Sequence, residues 1–237
     1  MNLYTIGYAT KDIKDFVKIL KLNNVNCIID VRSSPFSKQF PEYNEYNLKK
    51  YLNENAILYL SFGKEFGARR DEKDAYKKVK MYDETIIDVV SFEKVYNLES
   101  FKAGYNRVIT GLEKGYKIAF MCSEKYAHDC HRGIMVSEYF YRLGYNVKHL
   151  IDNDNIMDHE CVESILKENF IKAKKKFERI HLSELNELKY ASDLFGVNLV
   201  DEYITFWNDF FSEYSREKAF ELRNYEIGYK KGNDEND

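Results

Sequence analysis

No apolar run in this chain approaches the roughly 20 residues that a membrane-spanning helix needs, which excludes an integral membrane protein built of helices. The opening MNLYTIGYATKDIKDF lacks the basic-then-apolar order of a secretory leader, so a soluble, cytoplasmic protein with no membrane partner is the expectation. Cysteine is scarce, four in 237 residues, at positions 27, 122, 130 and 161. That is too few and too irregular for a disulfide framework in a chain able to build its own core, and the cysteines read as thiols. Proline is scarcer still: Pro35 and Pro41 both fall in SSPFSKQFPEYNEYN, which reads as a shaped surface loop rather than the interior of an element. An excess of one charge is missing too. With 36 Lys and Arg against 39 Asp and Glu the net charge is −3, so the global balance carries no nucleic-acid footprint and only a local patch would. Internal repeats and low-complexity linkers are absent.

What is present is apolar and aromatic: 44% hydrophobic residues and 16% aromatic, enough for a substantial core. Over residues 1–151 short apolar runs alternate with stretches of helical period, the pattern of a parallel α/β sheet. The predicted strands are Leu3–Ile6, Cys27–Val31, Ile57–Leu60, Lys117–Cys122 and Val147–Ile151. Between the first two, Thr10 is placed as an N-cap, and Ile13, Phe16, Val17 and Leu20 mark one helical face. A short helix is expected around Asn47–Glu54, two or three helices over Asp71–Glu113 ending at Gly115, and a helix over Arg132–Leu143 closed by Gly144. Residues 152–237 read as a helical C-terminal extension with a solvated tail, Val197–Val200 being its one strand candidate. Lys172, Lys174, Lys175 and Lys176 are expected to be a solvated helix face.

In open parallel sheets ligands bind where strand C-termini meet helix N-termini. Strand one ends in Gly7-Tyr8, strand two in Asp30-Val31-Arg32-Ser33, strand three runs into FGKEFGARR, and strand four ends in Cys122-Ser123-Glu124. His131 and Arg132 would open the next helix, whose unpaired N–H groups favour an anion. Each has a bland reading: Asp30 as the salt-bridge partner of Arg32, Glu124 as a helix-end charge, Cys122 as a small buried hydrophobe. Their convergence on one rim is what suggests a site.

MCSEKYAHDCHRG, residues 121–133, holds the atoms for zinc in Cys122, His128, Cys130 and His131. Its C-x7-C-H spacing has no CxxC or HxxxH clip, and adjacent Cys130 and His131 are not expected to point at one ion, so no metal is assigned. A nucleophile is the stronger reading, because His131, Arg132 and a helix N-terminus beside Cys130 would lower its pKa.

The ordered set TIGYA (5–9), DVRSSP (30–35), YLSFGKEFGARR from Tyr59 and MCSEKYAHDCHRG resembles the domain-of-unknown-function 488 family over about residues 1–151. The resemblance implies a three-layer, Rossmann-like α/β domain of bacteria and archaea with a mostly parallel sheet. Its motif positions fall on Thr5, Gly7, Asp30, Arg32, Ser33, Pro35, Cys122, Glu124, Cys130, His131 and Arg132. Family members usually carry a small or polar residue where this chain has Tyr8, and a more glycine-rich turn than Gly63–Gly67. IIDVRSSP followed by IAFMCSE is also similar to the rhodanese pattern. A rhodanese or phosphatase loop, however, needs an arginine about five or six residues after its cysteine to cradle an anion, and Arg132 lies ten residues beyond Cys122.

These readings converge on a hydrolase or group transferase acting on a phosphate-bearing substrate, a nucleotide or nucleic acid. Gly7, Tyr8, Arg32, Ser33, Cys122 and Arg132 are its expected substrate contacts, and Asp30, Glu124, Cys130 and His131 its reacting groups. No cofactor is expected, since TIGYAT is not GxGxxG, and the oligomeric state is left open. The rival is a non-catalytic nucleic-acid-binding or regulatory module, with Phe36, Phe40, Tyr43 and Tyr46 stacking on bases; rhodanese-like sulfur transfer ranks below both.

Overall fold

The computed structural model describes residues 2–80, 86–195 and 202–230. Strand β1 (Asn2–Gly7) leads through helix α1 (Ile13–Leu22) to β2 (Cys27–Asp30), and the proline loop to α2 (Glu45–Glu54), β3 (Leu58–Ser61) and the single turn α3 (Gly63–Phe66). A hairpin of β4 (Tyr76–Lys80) and β5 (Ile86–Val90) precedes α4 (Phe92–Val95) and α5 (Glu99–Glu113). Next come β6 (Ile118–Cys122), a wide π-type turn over Arg132–Ser137 that continues as α6 (Glu138–Arg142), then β7 (Asn146–Leu150) and β8 (Ile156–Asp158). Helices α7 (His159–Phe195), α8 (Glu202–Ser212) and α9 (Arg216–Ile227) complete the described chain.

Six strands form one sheet in the order β3-β2-β6-β1-β7-β8, with β8 antiparallel at the edge and all other pairs parallel. A parallel sheet is covered on both faces, so its central strand β6 is apolar at every position. In β6, Ile118, Phe120 and Cys122 enter one apolar cluster while Ala119 and Met121 enter another on the opposite face. The second cluster is closed by Phe16 and Leu20 of α1 and Leu48 and Leu52 of α2. The first takes Val108 of α5, Phe140 of α6, and then Phe170 of α7, Phe211 of α8 and Phe220 of α9. The C-terminal helices thus bury aromatic rings in the same cluster as the sheet, each ring contributing roughly 2 kcal/mol. This is a mixed α/β fold of Rossmann-like kind with C-terminal helices, and the five predicted strands stand within about one residue of their expected places, the usual scatter of strand ends. No helix among the described residues is long and apolar enough to cross a membrane.

Three local expectations are corrected. Residues 76–80 and 86–90 are paired strands, not helix: the β-branched run IIDVV pairs antiparallel with YKKVK from Tyr76↔Val90 to Lys80↔Ile86. Asp12, not Thr10, caps α1, its carboxylate accepting from the N–H groups of Lys14 and Asp15, while Thr10 adopts a left-handed φ of 72°. The extension also adds the edge strand β8. Gly115 and Gly144 do end their helices with φ of +85°. Lys172 and Lys174 of α7 pair with Glu168 and Glu178, and the half-buried Lys174 also donates to the Ser212 carbonyl of α8; Val197–Val200 lies outside the described residues.

Candidate functional site

The parallel register sets Gly7 beside Cys122 and Asp30 beside Met121, so the C-terminal ends of β1, β2 and β6 stand together. A Cβ on Gly7 would lie 1.8 Å from the Glu124 carbonyl oxygen. Gly7 therefore lets the loop after β6 cross the end of β1; the close approach is to protein backbone, not to a ligand.

Asp30 is fully buried, and every partner around it is a donor. Oδ1 accepts from the Arg32 amide (3.1 Å) and Nε (2.9 Å), and Oδ2 from Arg32 Nη2 (2.6 Å) and the Tyr59 hydroxyl (2.8 Å). A carboxylate so enclosed holds the arginine in place, and its partners leave it off the wall of the cleft described below. Arg32 gives Nη2 also to the Tyr43 carbonyl (2.8 Å), leaving Nη1 with a long 3.4 Å contact to the Tyr8 hydroxyl among the described residues. Tyr8 stacks on buried Tyr43 at 4.2 Å, with the Arg32 guanidinium over its ring. Tyr43 is consequently core, not a platform for bases, whereas Phe36 is 63% exposed.

Arg132 does not meet the expected anion. It is 1% exposed, and its guanidinium donates to Thr5 Oγ1 (3.1 Å) and to the carbonyls of Glu124 (2.9 Å) and Lys125 (3.5 Å), pinning the loop after β6 from beneath. The helix start is not a free anion site either, because the amides of Gly133 and Ile134 donate to the Cys130 carbonyl and that of Arg132 to Cys130 Sγ.

Cys122, Glu124, Cys130 and His131 converge. Glu124 Oε2 lies 3.1 Å from Cys122 Sγ and 2.9 Å from Cys130 Sγ, and each sulfur is 3.9 Å from His131 Nδ1. Adjacent Cys130 and His131 reach one point because the backbone changes course between them: Cys130 is extended (φ −141°, ψ 141°) and His131 helical (φ −56°, ψ −26°). The expectation that neighbours would diverge is overturned by that turn. His131 Nε2 is 2.9 Å from the Val31 carbonyl, and since a carbonyl only accepts, Nε2 carries the proton. Burial alone would raise the Glu124 carboxyl, but hydrogen bonds from the Cys130 thiol, its own backbone and the Cys122 thiol, with His131 nearby, hold it at about 2. The Cys130 hydrogen bond, against burial and with help from His131, lowers Cys122 to about 6, whereas burial and its thiol partner push Cys130 up. The cluster thus draws one of its two thiols toward the thiolate, with His131 beside it.

This cluster opens on a cleft of about 690 Å³, lined also by Tyr8, Arg32, Ser33 and Phe36 and, across from the motifs in sequence, by Arg69, Ile227 and Tyr229. Arg132 and Gly7 are not on its wall. Ser33 Oγ accepts from the Arg69 amide (2.9 Å), and the Arg69 guanidinium lies over the Tyr229 ring. From α9, Arg223 donates to the His128 carbonyl (2.9 Å) and Asp129 (2.6 Å), bracing the loop that carries Cys130. Sequence reading named the FGARR stretch without Arg69's role. It missed Arg223, Ile227 and Tyr229, which no motif or periodicity ties to the sheet.

The family model described as Domain of unknown function DUF488 matches residues 12–139, more than half of the chain. The chain belongs to the DUF488 family. No curated protein and no solved structure matches it. The DUF488 match includes Asp30, Arg32, Ser33 and the whole Cys122–Arg132 cluster, while β1 with Gly7 and Tyr8, and the α9 side of the cleft, lie outside it. The family's description assigns no activity. Of the rhodanese likeness, this DUF488 chain keeps a strand-end cysteine but no cradle: the arginine ten residues on is buried against Thr5.

Proposed function

We propose that the protein is a hydrolase or group transferase that binds a phosphate-bearing substrate of nucleotide type in the strand-end cleft. The observation that carries this reading is the convergence of Cys122, Glu124, Cys130 and His131 in a cleft that also presents Arg32 and Arg69. Arg32 is locked by Asp30 and Tyr43, so the guanidinium is oriented before any ligand arrives and little side-chain freedom is lost on binding. Arg69 supplies a second cation, and exposed Phe36 a ring on which a base would stack. Glu124, ionised across the physiological range, serves as a base or as an anchor for a cation and not as an acid.

Thermal-shift measurements with inorganic phosphate, nucleoside mono- to triphosphates and short DNA and RNA test the reading. A nucleotide is expected to raise Tm more than phosphate alone, and Arg69→Ala, an exposed position, to diminish that rise. A wild type that no anion stabilises, or a rise unchanged in Arg69→Ala, overturns it. Salt-sensitive single-strand binding that survives Glu124→Gln, with no turnover, would favour a non-catalytic module instead.

A further inference from the structure

We infer that Cys122, Cys130 and His131 hold one divalent transition-metal ion of zinc type, with Glu124 beside it as a fourth donor. The inference deepens the reading above by placing a metal at its reacting centre, but metal content is measured without substrate, so the two fail separately.

Geometry comes first. The two sulfurs and an imidazole nitrogen all lie within 4.8 Å of one another, and each sulfur is 3.9 Å from Nδ1. Metal–sulfur bonds of about 2.3 Å and metal–nitrogen bonds of about 2.0 Å in a tetrahedron set sulfur and nitrogen about 3.5 Å apart. Each sulfur and Nδ1 therefore need to close by only a few tenths of an ångström, while Glu124 Oε2, at 3.1 and 2.9 Å from the sulfurs, would draw back by a similar amount to serve as the fourth donor. Two sulfurs with an imidazole suit zinc and neighbouring transition metals, not magnesium or calcium.

The tautomer is an independent observation. Because Nε2–H donates to the Val31 carbonyl at 2.9 Å, the neutral ring turns its lone pair, on Nδ1, toward the sulfurs. Metal-bound histidines are oriented in this way by a carbonyl or carboxylate on the other nitrogen. The sulfurs are prepared as well: the Arg132 amide donates to Cys130 Sγ at 3.4 Å, and Ser123 Oγ fixes the Glu124 carboxylate at 2.8 Å.

Proton counting gives the same answer. With the His131 ring neutral, four lone-pair atoms, two Sγ, Oε2 and Nδ1, meet with at most two protons among them, those of the thiols. If both thiols point at Oε2, at 3.1 and 2.9 Å, Nδ1 is left with no donor in the cluster. One dication replacing both protons gives every lone pair a partner.

The test is elemental analysis of the full chain, purified with reductant from zinc-supplemented medium, and optical spectroscopy after substitution with cobalt(II). Stoichiometric zinc and a tetrahedral cobalt–thiolate spectrum are expected. Cys122→Ser and Cys130→Ser should each weaken metal retention at least about tenfold, while Cys161→Ser, at an exposed thiol outside the cluster, retains it. Should a serine variant fail to fold, the wild type still decides: zinc should protect Cys122 and Cys130, but not Cys161, from alkylation. Negligible metal after reduction and loading, retention unchanged in both serine variants, or a Cys122–Cys130 disulfide that takes up no metal once reduced, overturns the inference. A zinc-loaded protein that binds no anion overturns the preceding reading alone.

Discussion

Two polar clusters, each with a glutamate and at least one histidine, adjoin in this molecule at His131 and Arg132, and they are built on opposite principles. The first runs from Arg132 through the core. Arg132 Nε donates to Thr5 Oγ1 (3.1 Å), which shares a hydrogen bond with His149 Nδ1 (2.8 Å); His149 Nε2 is bonded to His159 Nδ1 (3.0 Å), and His159 Nε2 donates to Glu138 Oε2 (3.0 Å). Glu138 also receives Arg142 (2.6 Å) and Arg216 (2.8 Å). Every donor in this chain can meet an acceptor, and burial, His159 and Arg132 hold His149 well below its ordinary pKa. The second group, Cys122, Glu124, Cys130 and His131, has more lone pairs than protons and opens on a cleft. A polar cluster in which each donor meets an acceptor is structure; one whose acceptors outnumber its donors at an accessible point is waiting for a cation or a substrate. Motif spacing placed Arg132 with the second group. Its partners place it with the first.

The comparison breaks most visibly at Glu138, 0% exposed and central to the closed chain. Glu138→Ala leaves Arg216, Arg142 and His159 without their shared carboxylate, and the free energy of unfolding in urea should fall by about 3–5 kcal/mol. Arg216 belongs to α9 and Arg142 to α6, so the loss should also loosen the attachment of the C-terminal helices, seen as faster amide exchange in α9.

Acid should produce a slightly smaller effect through the same group. Burial alone would raise the Glu138 carboxyl, but hydrogen bonds from His159 and Arg216, and then Arg142, outweigh it and lower the group from 4.5 to about 2. A carboxyl depressed in the folded state contributes stability that is complete above its unfolded pKa and is lost as pH falls toward the folded one. Roughly 3 kcal/mol should therefore disappear between about pH 4.5 and 2, and Glu138→Ala should flatten that part of the stability curve. Thr5→Val comes next. It leaves Arg132 Nε without its acceptor and His149 Nδ1 without its partner, at a cost of about 1–3 kcal/mol by chemical denaturation, without altering the side chains that line the cleft.

The same contrast explains what was legible in the sequence. The parallel strands were readable because a strand buried on both faces is mostly an apolar run, as in IAFMC and the CII of β2. The hairpin was not, because the lysines of YKKVK gave it the look of a solvated helix; its partner IIDVV, β-branched and apolar, was the signal available. At the site, convergence of the strand ends followed from topology, and Cys122, Glu124, Cys130 and His131 do come together. Which residue faces the cleft did not follow, because that depends on how the loop after β6 folds back over β1. Gly7 and Arg132 are covered by that loop, Asp30 is enclosed by Arg32 and Tyr59, and Ile227 and Tyr229 arrive from a helix nearly a hundred residues away.

The smallest expected effect sharpens the comparison most. In metal-free protein, Cys130→Ser keeps a small polar group that still reaches Glu124, so unfolding free energy should change by less than about 1 kcal/mol, well below the loss in Glu138→Ala. Zinc should separate the two proteins again. An ion bound only by the folded state adds RT ln(1 + [L]/Kd), about 2.7 kcal/mol at a hundredfold excess over Kd. Wild-type Tm should rise on adding zinc and fall back with a chelator, while Cys130→Ser responds to neither. A closed cluster, in which the thiols needed nothing beyond Glu124, would give identical melting curves with zinc and with chelator in both proteins, and the distinction between the two polar groups would then be lost.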